Sequence, residues 1–448
     1  MTNNTRNNDR ITGKVILRAT LANETPLLIG RGGGDSVDIE VMRLPDGKPY
    51  IPASSIAGCL RSFTSGQDGY FWGKTGRGEK NPLQSHIRFD DLIPEAASKP
   101  EDIVMRDGVK IDHKTGTAED KKKYDYQVVE PGLSFPFHAE ITLRESMKGD
   151  WERFVEDIKE SLESSHFRIG ANTNTGFGKV ICTGFQVYHF EFPAHADAWF
   201  EYLEKGIISI PEKAIEAAPK QLGEGSFSIE ATFRLKSSLM IGAYGIKGNE
   251  PDKSQLKSGD RHVLPGKSIR GAIRHRAVKI WNTLGKPLSQ INDLFGFVSE
   301  DEKDQKRSRL RVEEFRFQAN EVEPMVQNRI RIDRFTGGVI DGALFNSEPV
   351  WTKGSEQIKL TFTILKGATQ DEKKLLLLLL KDLWLEDLAI GGEKNVGRGI
   401  LTGQKAAIYD NGQQVAAFKR NGQGPELEFT KGSAAILNEL ITPQPATT

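Results

Sequence analysis

An internal repeat constrains the fold of this chain more than any other feature of its sequence. Four motifs recur in the same order, at shifts of 212, 213, 221 and 221 residues. The pairs are residues 25–30 with 237–242, 51–61 with 264–274, 109–116 with 330–337, and 168–178 with 389–399. This order and near-constant spacing are improbable by chance, and 448 residues are enough for two domains. The sequence therefore predicts two homologous domains in tandem.

The domain limits follow from the repeat and from the break between its copies. We predict a first domain over residues 1–200, a linker over 201–225, a second domain over 226–405 and a C-terminal extension over 406–448. Within the break, residues 211–220 predict a helix and the Gly-rich residues 223–226 a linker. The extension ends in the turn-rich sequence TPQPATT, which is typical of a frayed terminus.

Composition narrows the class of protein. Basic and acidic residues are equal in number, at 61 each, which argues against a free-standing nucleic-acid binder unless the basic residues cluster on one face. Cys59 and Cys182 show neither a metal-binding spacing nor a disulfide framework, so we expect reduced thiols. The longest apolar run, residues 375–380, is too short to span a bilayer, and the N-terminus is polar. We expect a soluble, cytoplasmic protein.

The pattern of strands and helices predicts an α+β domain in each copy. Residues 14–21 and 228–235 alternate as strands with one buried face. A helix is predicted after Pro52 and after Pro265. Ser54 or Ser55 is expected to cap the first of these, with Ile56 and Leu60 directed inward. Further helices are predicted over 151–162 and 372–385, followed by strands at 179–182 and 400–401. This order predicts two tandem ferredoxin-like sheets with helices on one face.

The Gly-rich segments 169–178 and 390–399 are the first candidate sites. Gly and Asn tolerate positive φ and let backbone N–H groups face an anion, so we interpret both segments as cradles for a phosphodiester backbone. A flexible hairpin is the alternative for either loop alone. The predicted RNA-binding residues here are Arg168, Gly170, Asn172, Asn174, Lys179, Lys394, Asn395 and Arg398.

The starts of the helices after Pro52 and Pro265 are the second candidate sites, because free N–H groups and Ser hydroxyls can bind phosphate. Residues 261–279 hold six Lys or Arg and no acid, the basic patch that the neutral total conceals. A solvated charged face is the alternative. The predicted RNA-binding residues are Ser54, Ser55, Arg61, Lys267, Ser268, Arg270 and Arg274.

Two further motifs hold recurring Asp residues. Residues 111–116 and 332–337 predict the start of a long loop or hairpin, and a turn in which the Asp side chain bonds its own backbone is favoured by composition alone. Asp38 and Asp252 lie in the loops before the first helices, each with a cation five residues later. Such a carboxylate can hold a divalent cation or orient a 2′-hydroxyl, although a solvated loop Asp is the commoner case.

Together these elements resemble the RAMP superfamily, specifically the backbone subunit of type III CRISPR effector complexes, which are RNA-guided antiviral ribonucleoproteins. The resemblance is carried by residues 25–34, 38–43, 51–61, 111–116 and 169–178, with their counterparts in the second half. Two fused copies are similar to the double backbone subunit of type III-D variants. Residues 37–43, VDIEVMR, match the family pattern IDSPVVR. Leu28 and Met240 depart from the family, which commonly has His just before the first Ile-Gly of each copy.

The resemblance implies an RRM-type palm and a protruding thumb hairpin in each copy. The thumb residues would be Asp112, His113, Lys114, Asp333, Arg334 and Phe335. It implies binding to guide RNA, to complementary target RNA and to other subunits of the complex. It further implies cleavage of the target at regular intervals by a 2′-hydroxyl attack that depends on a divalent metal ion, Mg or Mn. Asp38 and, through the repeat, Asp252 would be the catalytic and metal-binding residues.

Alternatives remain for function. The loop around Asp252 is richer in charge than the family pattern, so a scaffold-only second copy is plausible, and a catalytically silent guide-RNA scaffold is the main alternative for the whole chain. A CRISPR repeat-processing nuclease needs a His or Tyr acid–base set, and no His recurs between the copies. A tandem ferredoxin-like protein without RNA leaves the basic patch unexplained. No nucleophile elbow, Walker loop or dinucleotide fingerprint appears, which argues against ordinary hydrolases.

Overall fold

The structure is a computed structural model with two compact units. It describes residues 9–33, 37–64, 69–74, 83–95, 99, 102–112, 115, 117–146, 150–244, 251–299, 304–354, 357–422 and 427–430. Unit 1 comprises the described residues of Met1–Val104, Gln127–Thr173 and Phe177–Gln221. Unit 2 comprises those of Met105–Tyr126, Asn174–Gly176 and Leu222–Thr448. Two short segments of the first sequence copy therefore belong to unit 2.

The first sequence copy holds eight of the described strands and four of the described helices. The strands are β1 (Ile11–Asn23), β2 (Gly30–Gly32), β3 (Glu40–Val41), β4 (Ile87–Phe89), β5 (Ile103–Ile111), β6 (Ala118–Val129), β7 (Ser134–Arg144) and β8 (Val180–Glu191). The helices are α1 (Ala53–Phe63), α2 (Gly69–Trp72), α3 (Trp151–Leu162) and α4 (Ala196–Lys205).

Unit 1 is built on an antiparallel sheet of order β4-β7-β1-β8. Its core is apolar because side chains alternate across each strand, so that Val15 and Leu17 of β1 are fully buried, as are Phe135 and Ile141 of β7. The buried face of α3, with Val155 among its residues, belongs to the same core. The predicted strand 14–21 and the predicted helix 151–162 are confirmed.

The second sequence copy holds the remaining described elements. The strands are β9 (Phe227–Leu235), β10 (Ser238–Leu239), β11 (Gly242–Tyr244), β12 (Lys253–Gln255), β13 (Lys257–Ser258), β14 (Arg261–Leu264), β15 (Phe297–Val298), β16 (Gln305–Lys306), β17 (Leu310–Val312), β18 (Phe315–Arg316), β19 (Val322–Pro324), β20 (Gln327–Ile332), β21 (Val339–Glu348), β22 (Val350–Thr352), β23 (Ile358–Ile364), β24 (Leu401–Asp410), β25 (Gln413–Arg420) and β26 (Leu427–Phe429). The helices are α5 (Gly266–Thr283), α6 (Ser289–Phe295) and α7 (Gln370–Trp384).

Unit 2 is built on an antiparallel sheet of order β17-β23-β9-β24-β25-β26, with α5 and α7 in its hydrophobic core. β24 continues through residue 405, where the sequence predicts the start of the C-terminal extension, and β25 and β26 extend the same sheet. The sheets and helices of the two units confirm the α+β fold class with two tandem ferredoxin-like domains.

Strand registers align the two copies residue by residue. In unit 1, Ile141 pairs with both Val15 and Ile87, and in unit 2 Ile364 pairs with both Phe227 and Leu310. The bridge between residues 51 and 92 corresponds to the pair between residues 264 and 315. Residues 51–54 therefore correspond to 264–267, as the sequence motifs also indicate. Residues 87–92 correspond to 310–315, and no sequence motif gives this second alignment.

The helix after Pro52 begins as predicted, but its cap is different. The side chains of Ser54 and Ser55 make no capping hydrogen bond, so that prediction is wrong. Instead, the Ala53 N–H donates to Asp91 Oδ1 at 2.7 Å. A carboxylate satisfies the orphan N–H more strongly than a hydroxyl, because it is charged and lies at the positive end of the helix dipole.

The helix predicted over residues 211–220 is also wrong. The segment is irregular, and its backbone bonds to neighbouring elements of unit 1: Lys213 N–H donates to the Val187 carbonyl and Lys220 N–H to the Glu160 carbonyl. Prolines at both ends, and hydrogen bonds taken up by α3 and β8, favour this extended path over a short isolated helix. The helix in this region is α4, which ends at Lys205.

Within the described part of the chain, none of the helices has the length and apolar character needed to cross a membrane.

Candidate nucleic-acid interface

Asp38 is exposed and lies two residues before the short strand β3 of unit 1. β3 is held in place by pairing with β2, in which Gly30 opposes Val41, and by the Met42 N–H, which donates to the Ile29 carbonyl at 2.7 Å. The loop that carries the predicted catalytic carboxylate is thus attached to a small, hydrogen-bonded ribbon.

The second copy repeats this ribbon. Gly242 opposes Gln255 in the β11–β12 pair, and Leu256 N–H donates to the Ile241 carbonyl at 2.9 Å, as Met42 does to Ile29. This register places Asp252 at the position that corresponds to Asp38. The structure therefore supports the residue equivalence that the repeat predicts, while the catalytic role of either carboxylate stays a prediction.

Gln127 connects the Asp38 ribbon to the end of β6. Its N–H donates to the Ile39 carbonyl at 2.9 Å, and its Oε1 accepts from Val41 N–H at 3.3 Å and from Arg43 Nη2 at 2.9 Å. Since Ile39 follows Asp38 in the chain, Gln127 fixes the backbone beside the predicted catalytic residue. No pattern in the sequence identifies Gln127, because its partners lie more than 80 positions away.

A groove of about 550 Å³ lies beside this ribbon. Its lining residues are Arg31, Glu40, Arg43, Leu44, Pro45, Gly47 and Gln127. Arg31 Nε donates to Glu40 Oε2 at 2.8 Å, and Arg43 donates to Gln127. Arg31 also donates to Glu40 through Nη2. A phosphate in this groove would therefore contact the remaining N–H groups of the two guanidinium groups. Sequence reasoning included Arg43 in the motif around Asp38 but missed Arg31.

Asp252 both donates a hydrogen bond to Asn346 of β21 and accepts one from it. Its N–H donates to Asn346 Oδ1 at 2.7 Å, and its Oδ2 accepts from Asn346 N–H at 3.0 Å. The strand that follows, β12, pairs in parallel with β21 through Lys253 and Ser347. The Asp252 carboxylate therefore fixes the outgoing strand of a hairpin to the ribbon.

The carboxylates near the Asp38 ribbon limit the kind of metal site that can form. Among the described residues, no three His, Cys, Asp or Glu side chains lie close enough together to hold a metal ion. An all-protein metal site is therefore not formed there. Mg²⁺, however, is commonly held by one or two carboxylates together with substrate phosphates, and a single Asp near a groove lined by two arginines fits that smaller donor set.

The two Gly-rich segments have the same backbone structure. Gly178 and Gly399 both adopt positive φ, of 78° and 72°. A Cβ at Gly178 would lie 2.0 Å from the Ile169 carbonyl oxygen, and one at Gly399 would lie 1.8 Å from the Ile390 carbonyl oxygen. Only glycine fits such contacts without a shift of the backbone.

The N–H groups of these segments bond to the strand-end motif of the same copy. Ala171 N–H donates to the Leu28 carbonyl and Gly178 N–H to that of Pro26. Gly392 and Gly399 repeat this with Met240 and Ser238, again at 2.7–2.8 Å. The interpretation of these four N–H groups as an anion cradle is wrong, because their hydrogen bonds are made within the protein. The two motifs recur together because they bind each other.

Replacing Gly399 by Ala should destabilise unit 2 by about 2–4 kcal/mol, because the methyl group meets the Ile390 carbonyl and the backbone has positive φ. Gly397→Ala is the matched control. Its φ is 84° but no heavy atom lies within 4 Å of the added Cβ, so about 1 kcal/mol is expected. Urea unfolding of both variants measures the difference, and equal losses would show that the close contact has no role.

The arginines predicted to bind RNA in these segments are held by protein groups. Arg168 Nη1 donates to the Ser165 and Phe167 carbonyls, and its side chain is buried. Arg398 is buried between Glu393, Ser238 and Gln327, at 2.6–2.9 Å. Both side chains therefore stabilise the loops.

The other predicted residues of these loops have mixed surroundings. Lys179 pairs with Glu24 at 2.6 Å, and Asn174 Nδ2 donates to the Ser308 carbonyl within unit 2. Gly170 and Asn172 have positive φ and shape the turn. Lys394 and Asn395 are exposed. The exposed pair is best placed to contact RNA.

The basic patch on α5 is only partly exposed. Arg270 donates to the Phe295 carbonyl, and Arg274 Nη2 donates to Asn292 Oδ1 at 3.1 Å. Ser268 is half-buried in the first turn of α5. In unit 1, Ser54 and Arg61 are exposed, and Arg61 also donates to the Gly73 carbonyl. RNA contacts by these residues stay a prediction.

Lys267 lies against two aromatic rings of β6, within unit 2. Its Nζ is 3.8 Å from the centre of the Tyr126 ring and 3.3 Å from the Tyr124 hydroxyl. Burial, with the nearby Arg106 and Arg270, lowers the pKa of Lys267 to about 7. The unfolded chain, with an ordinary lysine pKa of 10.5, binds more protons between these two values, so stability should rise with pH from about 7 to about 10.

Lys267→Met should remove that rise in stability and increase the free energy of unfolding at pH 7, because the thioether keeps contact with the rings without a desolvated charge. Lys279→Met, at an exposed position of the same helix, is the control and should leave the pH dependence unchanged. Thermal unfolding between pH 6 and pH 9 measures both, and a wild-type stability that falls with pH would contradict the account.

The turns of two hairpins share the same hydrogen bonds to an Asp. Asp112 Oδ1 accepts from the Thr115 N–H at 2.8 Å, and Asp333 Oδ1 accepts from the Thr336 N–H at 2.9 Å. In both, the Asp N–H donates to the carbonyl of the residue five positions later. The turn in which Asp bonds its own backbone is thereby confirmed, while the role of the two hairpins as thumbs stays a prediction.

The tip of the β20–β21 hairpin is exposed. Phe335 is 99% exposed, and Arg334 beside it is also exposed. The corresponding positions in the other hairpin, His113 and Lys114, lie outside the described residues. A fully exposed aromatic ring at a hairpin tip can stack on a nucleobase.

The β5–β6 hairpin is tied to the rest of unit 2 by a buried ion pair. Arg106 Nη1 lies 2.8 Å from Glu314 Oε2, and each side chain is 1% exposed. Gly176 packs closely against the backbone of Glu314: a Cβ at this position would lie 2.3 Å from the Glu314 nitrogen. No motif in the sequence indicated either member of this pair.

Comparison with known proteins bears on these observations. A family model described as the RAMP superfamily matches residues 20–181 and 232–402. The two matches correspond to the two copies of the repeat and together cover most of the chain. No curated protein matches the sequence.

Proposed function

Because the chain belongs to the RAMP superfamily, we propose that it is a backbone subunit of a type III CRISPR effector complex, of the fused two-copy kind found in type III-D variants. Its two domains bind guide RNA, and the complex cleaves complementary target RNA at regular intervals. Its partners are guide RNA, target RNA and other subunits, and its place of action is the cytoplasm.

One observation carries this proposal. In both copies the residue after the loop Asp pairs with the outgoing strand of a hairpin, Ile39 with Gln127 and Lys253 with Ser347. Two carboxylates and two hairpins are thereby placed in equivalent positions of one chain. A repeated unit of this kind suits a ligand that is itself repetitive, such as an RNA strand.

The proposed chemistry at Asp38 is transesterification within the target RNA. A 2′-hydroxyl gives up its proton to water, and its oxygen bonds to the adjacent phosphorus. The bond from phosphorus to the 5′-oxygen breaks, and the leaving 5′-oxygen takes up a proton from water. The products are a 2′,3′-cyclic phosphate and a 5′-hydroxyl. Arg31 and Arg43 bind the phosphate in the groove, and Asp38 orients the 2′-hydroxyl. A divalent ion, Mg²⁺ or Mn²⁺, would be held by Asp38 with phosphate oxygens and would supply charge neutralisation.

A catalytically silent scaffold is the second candidate, and one observation favours it for the second copy. The Asp252 carboxylate already accepts the Asn346 N–H and fixes the hairpin strand. Its corresponding loop is also rich in charge. In this case the second copy would bind guide RNA and position the target, while Asp38 alone cuts.

The proposal is tested on the complex assembled with guide RNA and a labelled complementary RNA. Cleavage at regular intervals is expected in Mg²⁺ and should stop with a chelator, while binding of the target persists. Product ends are read by treatment with a kinase and a cyclic-phosphate-specific phosphatase. A complex that purifies without bound RNA would overturn the proposal, and cleavage that continues in the chelator would overturn the metal requirement.

A further inference from the structure

Helix α4 of unit 1 carries large apolar side chains on its solvent-exposed side. Phe200, Leu203 and Ile207 are 66%, 60% and 51% exposed. Phe200 and Leu203 lie one turn apart on the same face, since residues i and i+3 are neighbours on a helix, and Ile207 follows the C-cap Gly206. Single exposed apolar residues are common on protein surfaces, but three of them within about two helical turns indicate a site of contact with a partner.

α4 is not part of the repeated unit. After β24 the chain forms β25, which pairs with β24 and extends the sheet, whereas after β8 it forms α4. Among the described residues, no helix of the second copy corresponds to α4. α4 also lies outside the two segments that the RAMP family model matches, 20–181 and 232–402. A face on an unrepeated element suits a partner that binds once per chain, in contrast to an RNA strand gripped by both copies.

The inner side of α4 is fixed to the sheet of unit 1. Tyr202 Oη and His138 Nε2 are hydrogen-bonded at 2.9 Å. The Trp199 ring packs edge-on against Phe190, with 5.2 Å between ring centres, and Lys14 Nζ lies 5.7 Å from the centre of the Trp199 ring. The outer face is therefore presented on an ordered helix, which reduces the conformational entropy lost when a partner binds.

Acidic side chains border the apolar residues of α4. Asp197 and Glu204 are exposed and are the neighbours of Phe200 at positions i−3 and i+4. Neither forms an ion pair with any residue that the structure describes. Glu201 pairs with Lys205 of the same helix at 3.6 Å. These carboxylates repel RNA phosphates and anionic lipid headgroups, and they favour a partner with Lys or Arg beside its apolar surface.

The geometry of this face also limits the kind of partner. A twofold dimer through α4 would bring its acidic side chains close to their own copies, which disfavours a second copy of this chain. An extended peptide binds to an open sheet edge, which a helix does not offer. The i, i+3 spacing of Phe200 and Leu203 instead suits packing against the ridges of another helix.

We propose that the outer face of α4 binds an amphipathic helix of a different protein. The apolar side of that helix covers Phe200, Leu203 and Ile207. The lysines or arginines that flank its apolar side pair with Asp197 and Glu204. This contact lies beyond the proposed function, because it involves neither guide RNA nor target RNA and is the same for a cleaving subunit and for a silent scaffold.

Two synthetic peptides test this chemistry on the full chain after nuclease treatment has removed RNA. Each is an amphipathic helix of about three heptads with Leu at positions a and d, and the flanking positions are Lys in one peptide and Glu in the other. Fluorescence anisotropy measures their binding. The Lys peptide should bind at least roughly tenfold more tightly than the Glu peptide, and added salt should weaken it. Equal affinities, or no binding of the Lys peptide, would overturn the proposal.

Substitutions on α4 locate the bound peptide. Phe200→Ser should weaken binding of the Lys peptide by at least roughly tenfold, because the central apolar contact is lost. Leu284→Ser is the matched control, at a leucine of the second copy that is 54% exposed, and should bind as the wild type does. Unchanged binding by Phe200→Ser, or an equal loss in Leu284→Ser, would place the peptide elsewhere and overturn the proposal.

A charge reversal separates specific binding from a loss of folding. The double variant Asp197→Lys with Glu204→Lys should bind the Glu peptide more tightly than the Lys peptide, a gain that a misfolded chain cannot show. A preference that is not reversed would overturn the role of the two acids. Analytical ultracentrifugation examines the alternative occupant: dimers of the wild type that dissociate in Phe200→Ser would show that a second copy covers this face and would overturn the proposal.

Discussion

Replacing Glu314 by Gln is expected to destabilise unit 2 by about 3–5 kcal/mol. The side chains of Glu314 and Arg106 are each 1% exposed and lie 2.8 Å apart, so the substitution removes a negative charge from direct contact with a buried guanidinium group. Urea unfolding of the full chain, followed by tryptophan fluorescence, measures the loss. A loss below about 1 kcal/mol would show that the pair is solvated in solution.

Two controls define what the pair contributes. Glu145→Gln removes one member of the exposed Arg10–Glu145 pair, whose side chains are 75% and 60% exposed, and should cost less than about 1 kcal/mol. The double variant Arg106→Met with Glu314→Leu should recover most of the lost stability, because replacing both charges by apolar groups removes the desolvation cost. A double variant as unstable as the single one would indicate that packing around the pair dominates.

Replacing Asp38 by Asn is expected to lower the rate of target RNA cleavage at its site by roughly 10²- to 10⁴-fold, the range for loss of a group that acts on a proton in the transition state. Asn keeps the shape of the side chain and removes its charge. Guide and target binding should be unchanged, because the groove residues, Arg31 and Arg43 among them, are not altered. Single-turnover cleavage with excess complex measures the rate.

Asp46→Asn is the matched control for this variant. Like Asp38, Asp46 lies in the chain between β1 and α1 and is exposed. Its Oδ1 accepts from the Lys48 N–H at 3.1 Å in a local turn, a bond that Asn can keep. Its cleavage rate should equal that of the wild type. A similar loss in both variants would point to a general effect of charge on RNA binding, and the catalytic role of Asp38 would be withdrawn.

The sequence predicts the regular elements well because these depend on local periodicity. The strands at 14–21 and 228–235 and the helix Trp151–Leu162 carry their apolar faces at the expected spacing, and the structure confirms them. The repeat can also be recognised without the three-dimensional contacts, because it consists of four sequence motifs at near-constant spacing.

What the sequence does not predict depends on partners far along the chain. The cap of α1 is Asp91, 38 positions from Ala53, so local rules favoured the nearby serines. Composition counts arginines but cannot tell a surface arginine from a buried one, and Arg398 proves to be 3% exposed. The Gly-rich segments were interpreted as anion sites because their own N–H partners, the strand-end motifs, lie more than a hundred residues away.

We propose that the chain holds two RNA-binding domains, with one cleavage site at Asp38 and a second at Asp252. The most direct measurement is a map of the 5′ ends of target RNA after cleavage by complexes with Asp38→Asn, Asp252→Asn and both. Asn at position 252 keeps an acceptor for the Asn346 N–H, so the hairpin stays attached. The account predicts that Asp38→Asn removes one set of ends and that the double variant produces none while retaining guide RNA. An unchanged map in the double variant would contradict it.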